Sequence, residues 1–385
     1  YLRQNLLKHH LHLNLSYYKN TTLCPLGIYW ALFIDFRINE LSFTSVLPKG
    51  EKNKNFYKHL LMQSSLLLAY FILFIALELI YFKIADRFNI IDKPNHRSSH
   101  TSITMRGGGI IFPIAVLAYS LLNGFEDIYF VIGLLAISTI SFLDDILTLN
   151  NKIRLSIHLS SVLLLFFQWD LFSLSWYWIV IALIFVIATI NAYNFMDGIN
   201  GITGGYSLLT IATLYYINHY VVNFTSDELL LVVGLSLLVF NFFNFRKKAK
   251  CFAGDVGSVS IAFVIVFFIG QLILTTENLS YILLLLVYGT ETAFTVLFRK
   301  IRGENIFEAH RSHFYQYLSN QLKFPHILVS TIYIVAQLLI NVALVLILES
   351  TVMYSIYLFL AFISLYIILR FKFEGKQRLL VSYNH

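Results

Sequence analysis

At 385 residues, with 58% hydrophobic and only 13% charged residues and a mean hydropathy of +0.70, the chain is too apolar for a soluble domain, where about 25% of residues are charged. Its net charge of +7 would suit nucleic acid if the basic residues formed one patch, but they alternate from loop to loop as membrane topology requires. Two cysteines, Cys24 and Cys251, lie too far apart for a disulfide framework or a paired metal site.

In chain order, residues 1–61 are polar, rich in Asn and Lys, and without a sustained apolar run. They contain no methionine; the first is Met62, directly before an apolar stretch. These features mark 1–61 as an upstream or non-native leader with little structure of its own; a short extramembrane leader is the alternative. Residues 62–385 read as a single transmembrane domain. Eleven apolar segments follow, at 64–84, 108–122, 128–143, 153–168, 175–193, 205–222, 229–245, 257–275, 280–298, 327–348 and 352–370. Some are short and the fourth is marginal, so the expected fold is an all-α polytopic membrane bundle of about 10–11 helices. No internal repeat and no second folded domain is evident.

The Lys and Arg residues beyond 61 all fall in alternate loops and in the tail: 83–107, 144–154, 246–250, 299–326 and 370–378. The intervening loops, such as NGFED and NFTSDE, have none. The positive-inside rule makes the basic set cytoplasmic, with the first span starting outside and the C-terminus inside.

The unusual polar clusters all fall on that basic side. Asp144 and Asp145 end the third segment, and Asn191, Asn194 and Asp197 end the fifth in NAYNFMDGINGITGG. At i, i+3 and i+6 those three cover about a third of a helix circumference and can face one site. Gly254, Asp255, Gly257 and Ser258 open the eighth segment in FAGDVGS, and His310 and His313 lie in the last large basic loop. Each has a plainer reading. Paired acids can simply end a helix in water. Asn-Gly is a turn signal, Ser and Asp are helix caps, and loop histidines are ordinarily solvated. Four elements bringing acids, amides and glycines to one face argue for chemistry instead. Hard oxygen donors at a membrane surface suit Mg²⁺ or Mn²⁺, with substrate phosphates completing the shell. Gly107, Gly108 and Gly109 let a chain pass closely. No zinc spacing and no GxSxG elbow is present.

The segments DKPNHRSSHTSITMRGGGI (92–110), SFLDDILTLNNKIR (141–154), NAYNFMDGINGITGG (191–205) and FAGDVGS (252–258) resemble the polyprenyl-phosphate N-acetylhexosamine-1-phosphate transferase superfamily. That superfamily includes bacterial UDP-GlcNAc:undecaprenyl-phosphate GlcNAc-1-phosphate transferases and phospho-MurNAc-pentapeptide translocases. Two features depart from it. Where many members carry HxHH, this chain reads EAHRSHFYQYL, so His313 matches one histidine while Tyr315 and Gln316 replace the others. Glu291 stands where relatives often have Asp. The altered histidine motif is similar to that of a subgroup making O-antigen or capsule lipid carriers with modified N-acetylated sugars.

The resemblance implies transfer of an N-acetylated sugar-1-phosphate from a UDP-sugar to undecaprenyl phosphate, with release of UMP. It implies a Mg²⁺ cofactor, with Mn²⁺ as a substitute, in the bacterial cytoplasmic membrane with the active site on the cytoplasmic face. Asp255 is then the principal metal ligand, with Asp197 beside it. Asp144 and Asp145 bind metal or position the lipid phosphate, one of them being a proposed base. Asn191 and Asn194 bind the nucleotide or hold Asp197. Lys93, Arg97, His310, Arg311 and His313 contact phosphates, and Asn95, Gly254 and Ser258 complete the substrate site. The partners expected are the UDP-sugar, undecaprenyl phosphate, membrane lipids and a second copy as a homodimer; nucleic acid is not among them. Plain GlcNAc-1-phosphate and phospho-MurNAc-pentapeptide transfer are the alternatives within the class. A transporter is the alternative outside it, disfavoured because transporter polar groups gather near the bilayer midplane.

Overall fold

A computed structural model of the chain describes residues 52–92, 103–147, 149–306, 308, 310–347 and 352–381. The chain divides into two units, Tyr1–Met62 and Gln63–His385. Of the first, only 52–62 are described, as the opening turns of a helix, so the expectation for 1–61 falls largely outside the described residues.

Among the described residues, eleven helices of 13 residues or more follow one another, and each overlaps one of the eleven apolar segments. They are α1 (Lys52–Arg87), α2 (Ile111–Asn123), α3 (Ile128–Leu147), α4 (Asn151–Gln168), α5 (Trp176–Met196), α6 (Ile202–Tyr220), α7 (Asp227–Asn244), α8 (Gly254–Thr276), α9 (Leu286–Ile301), α10 (His326–Ile347) and α11 (Val352–Leu380). Among the described residues, eight helical segments are long and apolar enough to cross a membrane, and 108–123 is a shorter apolar one. The fold is that of a polytopic helical membrane protein.

The helix ends follow from local chemistry. Asn150 caps α4 by accepting the Lys152 N–H at 2.9 Å. Ser226 caps α7, whose first turn carries Asp227 and Glu228 where the helix dipole favours negative charge. Arg299 and Lys300 close α9 at its negative end.

Lipid is as apolar as leucine, so burying apolar side chains does little to hold helices together in a membrane; close packing and buried hydrogen bonds do more. Phe130 of α3 stacks on Phe267 of α8 with ring centres 3.8 Å apart. The buried Gln337 of α10 accepts from the Tyr206 hydroxyl at 2.6 Å and the Val287 N–H at 3.0 Å, and donates to the Leu283 carbonyl at 2.9 Å. It also donates to Asn341, which in turn donates to Thr213. This ladder ties α6, α9 and α10 with bonds each contributing about 0.6–2 kcal/mol.

The central helix is α8, most of which is buried, whereas the apolar stretch of α11 is almost wholly unburied and lies at the periphery. Beside the N-terminus of α8 runs a two-stranded antiparallel ribbon, β1 (Ile91–Asp92) and β2 (Thr104–Met105), pairing Ile91 with Met105 and Asp92 with Thr104. Met105 also bridges to Cys251 in parallel. The ribbon delivers Arg106 and the three glycines to the tip of α8.

Candidate active site

The site is built around the first turn of α8. A helix begins with backbone N–H groups that have no partner within the helix. Here those of Asp255 and Val256 are taken by the carboxylate of Asp145, from the end of α3, at 3.1 Å each. The chain enters that turn through Gly254 at φ +71°, and a Cβ there would lie 2.7 Å from Asp145 Oδ2 and 2.9 Å from the Gly107 nitrogen. Only glycine satisfies both constraints.

Arg106 lies across the two acids. Its Nε is 2.7 Å from Asp145 Oδ1, whose side chain is wholly buried, and its Nη2 is 3.5 Å from Asp255 Oδ1. Burial works against the charge of Arg106, but Asp145 and Asp255 outweigh it and raise its pKa above the ordinary guanidinium value. The Arg106 carbonyl accepts from the Tyr81 hydroxyl of α1. Behind it, Gly109 lies so close to Gly257 that a Cβ on Gly109 would fall 2.2 Å from the Gly257 Cα. The Gly108 and Gly109 N–H groups donate to the Phe252 and Ala253 carbonyls at 2.9 and 3.2 Å. The ribbon end and the tip of α8 are thus one packed unit.

From α5, the Asn194 amide donates to Asp255 Oδ1 at 3.1 Å and to Ser258 Oγ at 3.3 Å. Ser258 donates to the Gly254 carbonyl at 3.1 Å. Asp197 follows α5 as its C-cap, half-buried in the turn that leads to α6. Burial pushes its carboxyl up to about 7, and the nearby Asp255 and Asp145 push the same way. That turn is held by Asn200, which donates to the Arg246 carbonyl at 2.9 Å, and by Asn244, which accepts the Gly201 N–H at 2.8 Å.

The basic loop after α9 closes one side. Arg299 donates to the carbonyls of Asn305, Ile306 and Glu308, and pairs with Glu304. His310 accepts the Ser312 N–H at 3.3 Å. Burial, with His313 and Arg299 nearby, lowers its pKa to about 3, so it is neutral at pH 7. Arg311 is half-buried, whereas His313 is buried. Tyr315 is buried beneath Gly198, with its hydroxyl donating to the Phe195 carbonyl at 2.9 Å. The residue that departs from the histidine pattern therefore fastens this loop to the Asp197 turn.

Asp145, Asp255, Asn194, Gly254 and Ser258 come together as one cluster, with Asp197 close enough to feel its charges. Asp144 does not join it. Consecutive helical residues point about 100° apart, and Asp144 instead accepts from the Leu149 N–H at 2.8 Å and from Arg154 at 2.6 Å. Asn191 is exposed and donates to the Ile187 carbonyl of its own helix at 2.9 Å. The i, i+3, i+6 face breaks because α5 ends at Met196, so Asp197 no longer follows helical register. Lys93, Asn95 and Arg97 lie outside the described residues. Sequence reasoning counted Arg106 only as loop charge; its position directly before three glycines was the available signal. It also passed over Glu78, a lone acid in the α1 apolar run, which is buried and receives the Cys251 thiol at 3.7 Å. An acid inside a membrane segment is rarely idle.

Among the described residues, no three His, Cys, Asp or Glu side chains gather as a metal cage. Mg²⁺ ordinarily takes one or two carboxylates from a protein, with substrate phosphates supplying the rest. Asp255 suits this best. Its side chain is 28% exposed, and Asn194 and Arg106 both engage the same oxygen, Oδ1.

Residues 128–273 match the family described as glycosyl transferase family 4, a stretch that includes Asp145, Asn194, Asp197 and Asp255. The chain is 25% identical over 262 residues to a probable undecaprenyl-phosphate N-acetylglucosaminyl 1-phosphate transferase of Bacillus subtilis, covering 61% of this chain and 71% of that protein. It is 29% identical over 182 residues to a phospho-N-acetylmuramoyl-pentapeptide-transferase of Petrotoga mobilis, covering 40% and 56%. It is 29% identical over 209 residues to an undecaprenyl-phosphate alpha-N-acetylglucosaminyl 1-phosphate transferase of Escherichia coli K12, covering 48% and 55%. The chain thus spans little more than half the length of the latter two. The resemblance to the sugar-1-phosphate transferase superfamily read from the motifs is borne out, while these relatives do not single out the O-antigen or capsule subgroup.

Proposed function

We propose that this protein transfers an N-acetylated sugar-1-phosphate from a UDP-sugar to undecaprenyl phosphate and releases UMP. The observation that carries the reading is the convergence of Asp145, Asp255, Asn194 and Arg106 on the first turn of one central helix, at the end of the bundle that bears the basic loops. The names of the relatives support the same reaction. The positive-inside rule supports a cytoplasmic site in a bacterial inner membrane.

The obstacle in this reaction is charge, because an anionic lipid phosphate must approach an anionic diphosphate. Asp255 would hold Mg²⁺, with Asp197 in support, and the ion would neutralise the diphosphate oxygens. Asn194 fixes the rotamer of Asp255. Arg106 adds a cation beside it, and Asp145 fixes Arg106 and the helix tip together. No strong base is required, since a phosphate monoester has a second pKa near 6 and is mostly dianionic at pH 7. Both Asp144 and Asp145 are engaged by arginine and backbone N–H groups, which supports positioning over proton abstraction for each.

The relatives favour N-acetylglucosamine as the sugar. The altered histidine motif favours a modified N-acetylated sugar and a lipid carrier for O-antigen or capsule. Membranes holding the protein, given labelled undecaprenyl phosphate and a panel of UDP-sugars, test the reading. One UDP-sugar should yield labelled lipid diphosphate and stoichiometric UMP. Turnover with none of them, beside an active relative as control, would overturn it.

A further inference from the structure

Glu291 of α9 is wholly buried, yet the chemistry proposed above gives it no task. Three donors from three elements converge on it. The Phe314 N–H donates to Oε1 at 2.5 Å, and the Tyr333 and Tyr366 hydroxyls donate to Oε2 at 2.7 and 3.0 Å. A carboxylate buried at this depth is tolerated only with such partners. Its fourth neighbour is His313, whose Nδ1 lies 3.6 Å from Oε1.

The surroundings fix this carboxylate further. Arg370 donates to the Tyr366 hydroxyl at 2.9 Å, to Thr295 Oγ1 at 3.2 Å and to the Ser312 carbonyl at 3.1 Å. It also pairs with Glu374, which pairs with Arg378. Glu291 is therefore held from α10, α11 and the basic loop at once.

His313 is the opposite case. Its side chain is 3% exposed and caps the turn that begins at Phe314, and its Nε2 has no hydrogen-bond partner. A buried polar group left unpaired is costly, so its persistence calls for an explanation. The ring lies 6.1 Å from that of Phe195, two residues before Asp197, and 5.0 Å from that of His310. Its neighbour Tyr315 is bonded to the Phe195 carbonyl. His313 thus stands beside the end of α5 that carries Asp197, with one nitrogen toward Glu291 and the other uncommitted.

We propose that Glu291 is the positioning residue for His313: it fixes the Phe314 backbone and the Nδ1 edge of the ring, so that Nε2 is presented to a phosphate oxygen of the nucleotide sugar. The inference rests on the transferase reading. Glu291 touches no substrate and acts only through the imidazole. The two tyrosine hydroxyls keep its carboxylate from turning away.

A double-mutant cycle of wild type, Glu291→Gln, His313→Ala and the pair, assayed in membranes at equal protein, tests it. Glutamine keeps the shape and an acceptor for the Phe314 N–H but removes the charge facing the ring. In Glu291→Gln, kcat should fall between about tenfold and about a hundredfold, with KM for the UDP-sugar changed far less. In the His313→Ala background the same change should cost nothing further. Losses that multiply, or a Glu291→Gln enzyme at the wild-type rate, would overturn the positioning role while leaving the transferase reading intact. A wild type inactive on every UDP-sugar would overturn both. If Glu291→Gln fails to accumulate, Tyr333→Phe takes its place in the cycle, since it removes one donor to Oε2. Its smaller loss should likewise vanish beside His313→Ala, and a loss that persists there counts against the proposal.

Discussion

Asp145 accepts the backbone N–H of Asp255 at 3.1 Å, so one acid of the site holds the other in place. The two carboxylates therefore differ in kind. That of Asp145 is wholly buried, whereas that of Asp255 is 28% exposed. The first organises the tip of α8, and the second is open to what arrives there.

Substitutions should separate these roles. Asp145→Asn leaves one oxygen to serve two N–H groups and leaves Arg106 without its closest partner. Breaking a buried ion pair costs about 3–5 kcal/mol, here discounted because Arg106 is partly exposed. The purified protein should melt clearly lower. Asp255→Asn should melt near wild type yet lose activity on the order of a thousandfold, because charge stabilisation at the diphosphate is lost. Equal melting losses in the two variants would contradict this division.

Arg106→Lys should be nearly as damaging as Arg106→Ala. A lysine ammonium is a point charge and cannot serve both carboxylates as the guanidinium fork does. Parallel turnover and thermal-shift measurements decide it: a lysine variant with most of the wild-type activity would mean that charge alone suffices.

Gly109→Ala and Gly257→Ala both insert a methyl group where two backbones touch. Each should destabilise by about 1–3 kcal/mol through overpacking. Because the strain separates the ribbon from α8, activity should fall further than the melting loss predicts. A control alanine at Gly289, where a Cβ meets no atom within 4 Å, should leave both near wild type.

Metal removal should abolish turnover without unfolding the protein, since no cage of three ligands is present among the described residues. After chelation the melting temperature should barely move, and Mg²⁺ or Mn²⁺ should restore activity. Direct titration with Mg²⁺ should show weak binding that tightens when a UDP-sugar supplies phosphate oxygens.

His310 sets an acid limit on stability. Its folded pKa of about 3 lies below the ordinary histidine value near 6.5. Between these values the unfolded chain takes up a proton that the folded chain refuses. Stability therefore falls as pH drops through about 6.5 toward 3. Replacing His310 with Gln should flatten the melting temperature over that window, and an unchanged slope would show that other groups carry it.

The span pattern was legible because apolar runs of membrane length and alternate basic loops leave few alternatives. The Asn194–Asp255–Ser258 cluster was legible from composition, since amides, acids and glycines at one end of apolar segments are otherwise costly. What stayed hidden was direction. The adjacent Asp144 and Asp145 look alike in sequence, but helical rotation sends one to Arg154 and the other to α8. Arg106 carried no mark beyond its charge, because the ribbon that aims it depends on the Met105–Cys251 bridge between distant segments. The end of α5 was unreadable to the residue, and that end decides where Asp197 points.

Arg370 on α11 grips the Ser312 carbonyl 58 residues earlier in the chain, and this has a consequence for timing. While the chain is being made, α8 and its acids are threaded into the bilayer long before Arg370 has been polymerised. Through that interval the basic loop lacks the guanidinium that fastens it, and the Glu291 carboxylate lacks the α11 tyrosine. The wall of the site is finished by a helix made well after its acids, so a chain halted before α11 carries the acids without the enclosure that would let them work.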